Sequence, residues 1–256
     1  MKRANKMLNK LKPIVLLSVF IVGHVFAQNV EKSWEDAVVY IPGKIFTTSV
    51  NKIAVDKPMP VVIYLHGCAG LNRVHDAAWG SFIADQGFIV IQPDSMATPG
   101  RISNCSAAAK KSTHAFPQAH KYRQLEIDYA LEKIQTSSWA DKQNIFIMGH
   151  SEGGVAIAIR KNHTGLAGGI ISGWTCTSYV PEFQGIASPK ETPTLVIASV
   201  DDDWRKGTAL EGNCANFAEG RSNFKQVDLP GTDHATAGQA EARRAVKEFL
   251  NQYQKK

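Results

Sequence analysis

Apolar residues follow two rhythms along this chain. Short runs of branched and aromatic residues recur at Val38–Ile41, Val61–Leu65, Phe88–Ile91, Asn144–Met148 and Thr194–Ala198, joined by Ala167–Trp174, which opens on small residues, and by Phe224–Leu229, which is interrupted by polar ones. Runs of this length, bounded by Gly, Pro or Asp, predict buried strands. A weaker run, Lys52–Val55, predicts a second N-terminal strand pairing antiparallel with Val38–Ile41. Between the strands, apolar positions fall three or four residues apart. Trp79, Phe82 and Ile83 mark a helix over Asp76–Gln86. Leu125, Tyr129, Leu131, Ile134 and Trp139 mark one over residues 121–138, Val155, Ile157 and Ile159 one after Gly154, and Ala240–Gln254 closes the chain as another. Residues 95–119 and 175–193 read as long irregular connections. Strands alternating with helices predict an α/β class: a mostly parallel sheet with helices on both faces.

The polar residues with chemical potential share one position in this pattern, just past the C-terminal end of a predicted strand, where open α/β sheets bind ligands. Gly149-His150-Ser151-Glu152-Gly153 is a G-x-S-x-G between a strand and a helix. In that setting it predicts a nucleophile elbow, a strained turn that lifts the Ser151 hydroxyl above the sheet edge. A serine hydroxyl needs a general base. His234, in the loop after the last strand and before the final helix, is the candidate. Its pKa is expected at or somewhat above about 6.5 beside a carboxylate. Of the other histidines, His66 is expected to order its glycine-rich turn, His150 to point away from Ser151, and His163 to lie on the surface. His75, His114 and His120 have no assigned part. The acid that holds the base's tautomer is expected among Asp201, Asp202 and Asp203, with Asp202 preferred and Asp203, beside Trp204, next. The order Ser151, Asp202, His234 is that of α/β-hydrolases. The backbone N–H groups of Glu152 and Cys68 are the expected oxyanion donors, the second from His66-Gly67-Cys68-Ala69-Gly70 after the strand Val61–Leu65.

Five segments together, His66-Gly67-Cys68-Ala69-Gly70-Leu71, Gln92-Pro93-Asp94-Ser95, Gly149–Gly154, Asp202-Asp203-Trp204 and Pro230-Gly231-Thr232-Asp233-His234, resemble the dienelactone hydrolase family of α/β-hydrolases across roughly residues 58–250. The resemblance implies the α/β-hydrolase fold, carboxylic ester hydrolysis without a cofactor or metal, and Asp202 as the acid. The chain departs from the family's founding members, which use cysteine as nucleophile where this chain has Ser151. That departure points to a serine esterase, and away from dienelactone itself.

Composition adds an address. Lys2, Arg3, Lys6, Lys10 and Lys12 precede an apolar run from Pro13 to Phe26, broken only by Ser18 and His24, and Val25-Phe26-Ala27 fits a small-residue cleavage site. Residues 1–27 therefore read as a secretory signal peptide, too short in its apolar part for a span, and residues 28–256 as a single domain. Taking those five charges from the formal +6 leaves +1, so the sequence pI near 9.1 says little about partners. No basic patch with interleaved aromatics supports nucleic acid binding. Export, to periplasm or beyond the cell, exposes all four cysteines to oxidation. Cys176–Cys214 and Cys68–Cys105 are the expected disulfides, because each pair lies in loops that follow strands on one sheet edge.

These readings predict an exported hydrolase acting on a small-molecule ester, with no stable membrane insertion once the signal is removed. A serine peptidase or amidase is the nearest alternative, although no large access-limiting domain fits in this length. A catalytically inactive hydrolase fold used for binding is another, and the intact Ser, Asp and His set argues against it. Trp174, Tyr179 and Phe183 are candidate pocket residues, with packing the simpler role. The sequence does not specify an oligomeric state.

Overall fold

A computed structural model describes residues 30–99, 101, 103, 105 and 117–256, so the signal segment and most of residues 100–116, including His114, lie outside the described residues. Among the described residues seven strands form one sheet. They are β1 (Val38–Tyr40), β2 (Met59–Leu65), β3 (Ile89–Gln92), β4 (Ala140–His150), β5 (Gly168–Ser172), β6 (Thr194–Ser199) and β7 (Phe224–Leu229), in the spatial order β1-β3-β2-β4-β5-β6-β7. Only β1 runs antiparallel to its neighbour; every other pair is parallel. The principal helices are α1 (His75–Ala84), α2 (Pro117–Thr136), α3 (Glu152–Ala158) and α4 (Ala240–Tyr253).

Strand side chains alternate faces, and the alternation divides the core in two. Val61, Ile63, Leu65, Ile145, Ile147, Ile171 and Val196 face α2 and α3. Their neighbours Val62, Tyr64, Phe146, Met148, Ile170, Leu195 and Ile197 face α1 and α4. A sheet buried on both faces needs apolar residues at consecutive positions, which is why the inner strands read as near-continuous runs and the edge strand β7 does not.

Three predicted features change. Lys52–Val55 is not a strand: residues 50–52 form a single helical turn, and β1 pairs antiparallel with β3 on one edge and only with Thr48, in an isolated bridge, on the other. Ile53 and Val55 pack partly buried against the core, so their apolar character reflects covering and not pairing. In α2 the buried stripe is Arg123, Glu126, Ile127, Ala130 and Ile134, while Leu125, Tyr129 and Leu131 are only partly covered. His163 is buried, with Nε2 3.1 Å from the Arg160 carbonyl, and burial pushes its pKa down to about 4.

The strand order places the crevice. From β2 the chain builds outward through β3 on one side, then returns to β4 and builds through β7 on the other. The reversal falls between β2 and β4, where carboxyl-end loops part and leave room for a ligand.

Candidate active site

The β4–α3 turn carries Ser151 at that crevice. Its φ of 55° and ψ of −113° are a conformation that side chains rarely adopt, as an elbow demands. Two glycines make the turn possible. A Cβ on Gly149 would run into the Gly153 carbonyl, and a Cβ on Gly153 into the Leu65 carbonyl of the neighbouring strand. The helix therefore starts at Glu152, three residues earlier than the sequence spacing predicts, and the Ser151 N–H bonds to the Ser172 carbonyl at 2.9 Å. The loop after β2 passes beside it: a Cβ on Gly67 would lie 3.4 Å from Ser151 Cβ.

His234 and Asp202 arrive from β7 and β6, whose parallel pairing brings both loops to the same edge. The loops are stitched to each other: the Asp201 and Asp203 N–H groups bond to the Gly231 and Thr232 carbonyls at 3.3 and 3.1 Å, and the Ser199 hydroxyl donates to the Asp233 carbonyl at 2.6 Å. Within this frame His234 Nδ1 lies 2.7 Å from Asp202 Oδ2. Asp202 is buried, whereas Asp201 and Asp203 are exposed, and Asp201 pairs with Lys206 at the surface. Burial would raise the Asp202 carboxyl. The hydrogen bond and charge of His234, Arg205 at 4.0 Å and the Trp204 N–H outweigh it, so the pKa lies below the ordinary carboxylate value.

A carboxylate only accepts, so Nδ1 of His234 carries the ring proton and Nε2 is bare. That Nε2 is buried without a hydrogen-bond partner among the described residues. The His234 pKa lies below 6.5 and not above it: desolvation outweighs the raising effect of Asp202, and Arg205 and His75 push the same way as desolvation. Trp204 covers the ring at 5.6 Å between centroids. Trp174 and Phe183 are buried as packing residues, the former beneath the Arg205 guanidinium at 4.7 Å, and Tyr179 is exposed.

On the other side of Ser151 lies a cluster the sequence reading missed. Arg123, wholly buried in α2, donates Nε to Glu152 Oε1 at 3.1 Å, Nη1 to Glu126 Oε2 at 3.2 Å, and Nη2 to the His66 carbonyl at 2.9 Å and the Gly67 carbonyl at 3.4 Å. Arg101 pairs with the same Glu152 oxygen. Burial would raise the Glu152 carboxyl, but the two guanidiniums hold it below its ordinary range. One arginine thus ties the residue after Ser151 to the two residues before Cys68. His66 orders its turn as expected: Nδ1 lies 2.6 Å from the Gly67 carbonyl and Nε2 accepts from the Ser95 N–H at 3.0 Å. The signal in the sequence was an arginine set four, seven and eleven residues ahead of Ile127, Ala130 and Ile134, a charge on an apolar stripe.

Both disulfides form with the expected partners, Cys68–Cys105 and Cys176–Cys214, at Cα separations of 5.4 and 4.9 Å. The first pins the loop that holds Cys68.

A scan against protein-family models gives no match, and a search of curated proteins gives none. Solved structures do match. Est1E of Butyrivibrio proteoclasticus, also solved with ferulic acid bound, is 15% identical over 85% of this chain and 93% of its own, with a TM-score of 0.57. A dienelactone hydrolase-like promiscuous phosphotriesterase from metagenomic libraries is 17% identical over 85% and 97%, with a TM-score of 0.58. An α/β serine hydrolase without a lid from Xanthomonas campestris is 12% identical over 85% and 88%, with a TM-score of 0.56.

Proposed function

From the α/β-hydrolase fold of the chain, and from structural neighbours that include esterases and dienelactone hydrolase-like α/β serine hydrolases, we propose that this protein is an exported serine hydrolase that cleaves a small carboxylic ester through an acyl-enzyme. The observation that carries the reading is the His234–Asp202 pair at 2.7 Å, with His234 Nε2 buried and without a hydrogen-bond partner among the described residues, on the sheet edge that also bears the strained Ser151.

In this reading His234 Nε2 takes the Ser151 proton as Oγ attacks the acyl carbon. The negative charge that develops on the carbonyl oxygen is received by the N–H groups of Cys68 and Glu152, each donor typically worth about 10²–10³ in rate. The imidazolium, stabilised by Asp202, then returns its proton to the departing alkoxide. The alcohol leaves, the acyl group stays on Ser151, and water repeats the cycle to release the acid. No step calls for a metal or cofactor. The rigidity of the site supports the assignment of donors: Arg123 and the Cys68–Cys105 bridge hold the two strand-end turns against each other. The ferulic acid bound to Est1E favours a small, partly aromatic acyl group as the starting point for a screen. Export is supported by the basic and apolar N-terminal pattern and by two disulfides, which persist outside the reducing cytosol.

The test is to label the protein with a fluorophosphonate and to screen p-nitrophenyl esters of graded acyl length beside peptide p-nitroanilides. Labelling at Ser151 with turnover of esters but not anilides is the expected result. Anilide cleavage would make it a peptidase or amidase, and no labelling at all would leave a binding protein on a hydrolase fold.

A further inference from the structure

His75 and Asp76 take no part in the chemistry above, yet both are buried behind its base at the start of α1. The donors around them fix one protonation state. The backbone N–H of Thr236, two residues past His234, points at His75 Nε2 across 3.2 Å. A backbone N–H can only donate, so Nε2 accepts and the ring proton sits on Nδ1. Nδ1 in turn lies 3.0 Å from Asp76 Oδ1. Asp76 is held by the Tyr64 hydroxyl on Oδ1 and the Asn72 N–H on Oδ2, both at 2.7 Å. This is a second Asp–His couple, and what it grips is the chain just beyond the catalytic candidate.

A second set of bonds fastens the same residue. Trp79 Nε1–H donates to Thr236 Oγ1 at 3.3 Å, and Thr236 Oγ1 lies 2.7 Å from Ser172 Oγ, itself 3.1 Å from His150 Nδ1. The His150 ring stands between the other two, with centroids 4.1 Å from His75 and 4.8 Å from His234. So His150, although it precedes Ser151, lies against the base.

We propose that His75 is a positioning residue for the base: kept in its Nδ1–H tautomer by Asp76, it holds the Thr236 amide and so fixes the loop that orients His234. The proposal rests on the triad reading for its kinetic consequence but not for its structural one. A packing role would need only the volume of the ring. A positioning role needs an acceptor at the place of Nε2. His75→Phe keeps the volume and removes the acceptor, whereas His75→Gln can present its amide oxygen to Thr236.

The experiment measures kcat and KM per fluorophosphonate-titrated site, together with the downfield NMR resonance of the His234 Nδ1 proton shared with Asp202. Displacements near 1 Å cost about 10² in rate. His75→Phe is expected to lower kcat by about 10- to 100-fold with KM within about threefold, and to shift or broaden the His234 resonance; His75→Gln is expected to recover both. If His75→Phe fails to fold, Asp76→Asn, which releases the tautomer, is expected to act in the same direction. Equal losses in His75→Phe and His75→Gln, or an unmoved resonance in folded His75→Phe or Asp76→Asn, would overturn the proposal. A wild-type protein that resists the fluorophosphonate would count against the triad reading alone, since the resonance is read without substrate.

Discussion

Replacing Asp202 with Asn tests the site at its most constrained point. Both carboxylate oxygens face donors: Oδ2 the His234 Nδ1 at 2.7 Å, and Oδ1 the Trp204 N–H at 2.8 Å. An amide has one oxygen for the two. If that oxygen stays on Trp204, the NH₂ group meets His234 Nδ1, the ring proton must move to Nε2, and the acceptor needed for the Ser151 proton is gone. If the amide turns over, the tautomer is kept but the Trp204 N–H faces an NH₂. An unmet donor in a buried place costs about 1–3 kcal/mol. At about 1.4 kcal/mol per decade, only one molecule in about 5–150 would then hold the working tautomer. The imidazolium also loses its neighbouring negative charge, and the same substitution in well-studied triads costs about 10⁴. The expected loss in kcat is therefore about 10²–10⁴. Asp201→Asn and Asp203→Asn change exposed residues and should stay within about twofold, since surface substitutions away from special features do little. Initial rates on a p-nitrophenyl ester, with circular dichroism to show that each variant is folded, make the comparison. Asp202→Asn within about threefold of wild type, or Asp203→Asn losing as much, would refute the reasoning from donor count.

Stability is expected to fall as pH drops from about 6.5 towards about 4. His66, His120, His150, His163 and His234 are all held neutral by burial in the fold, with His120 and His163 at about 4, so between the folded and unfolded pKa values the unfolded chain binds more protons. Urea midpoints measured across that range check it, and a flat profile would contradict it. The acid limb of kcat/KM should lie below pH 6.5, because desolvation lowers the His234 pKa; a limb above 6.5 would mean that Asp202 outweighs burial. Arg123→Met with Glu126→Gln, which removes the guanidinium without leaving the Glu126 charge unpaired, should lower kcat by about 10²–10³ with little change in KM, the loss typical of a displaced oxyanion donor, and unchanged turnover in the folded protein would remove Arg123 from the site. Gly153→Ala should destabilise by about 1–3 kcal/mol in chemical denaturation, because its Cβ meets a backbone carbonyl that cannot yield without parting β2 from β4. N-terminal sequencing of exported protein should begin at Gln28, and a chain still starting at Met1 would sink the signal reading.

What could be read without coordinates was either local or a matter of order. Strands β2 to β6 show themselves as apolar runs because a doubly covered sheet leaves no polar side to dilute the signal, whereas the edge strand β7 alternates apolar residues with Lys225, Gln226 and Asp228. The elbow shows itself because only glycine fits beside Ser151 at Gly149 and Gly153. Ser151, Asp202 and His234 could be singled out as candidates in sequence because parallel strands deliver their C-terminal loops to one edge, and that same geometry brings Cys68 to Cys105 and Cys176 to Cys214. The tertiary structure decided what depends on which face turns inward and on how much water is left there. Among three consecutive aspartates only Asp202 is buried, a difference of side-chain direction that composition does not carry. His234 shifts down and not up because desolvation, which no sequence window measures, exceeds the pull of its carboxylate. Lys52–Val55 is no strand because β1, paired with β3 on one edge, meets the following chain on its other edge earlier, in a single bridge at Thr48, before the chain turns into a helical turn at residues 50–52. Arg123 and His75 find hydrogen-bond partners 29 and 161 residues away along the chain, and a charge or an imidazole on an apolar helix face acquires a meaning only when its distant partner stands within hydrogen-bond reach.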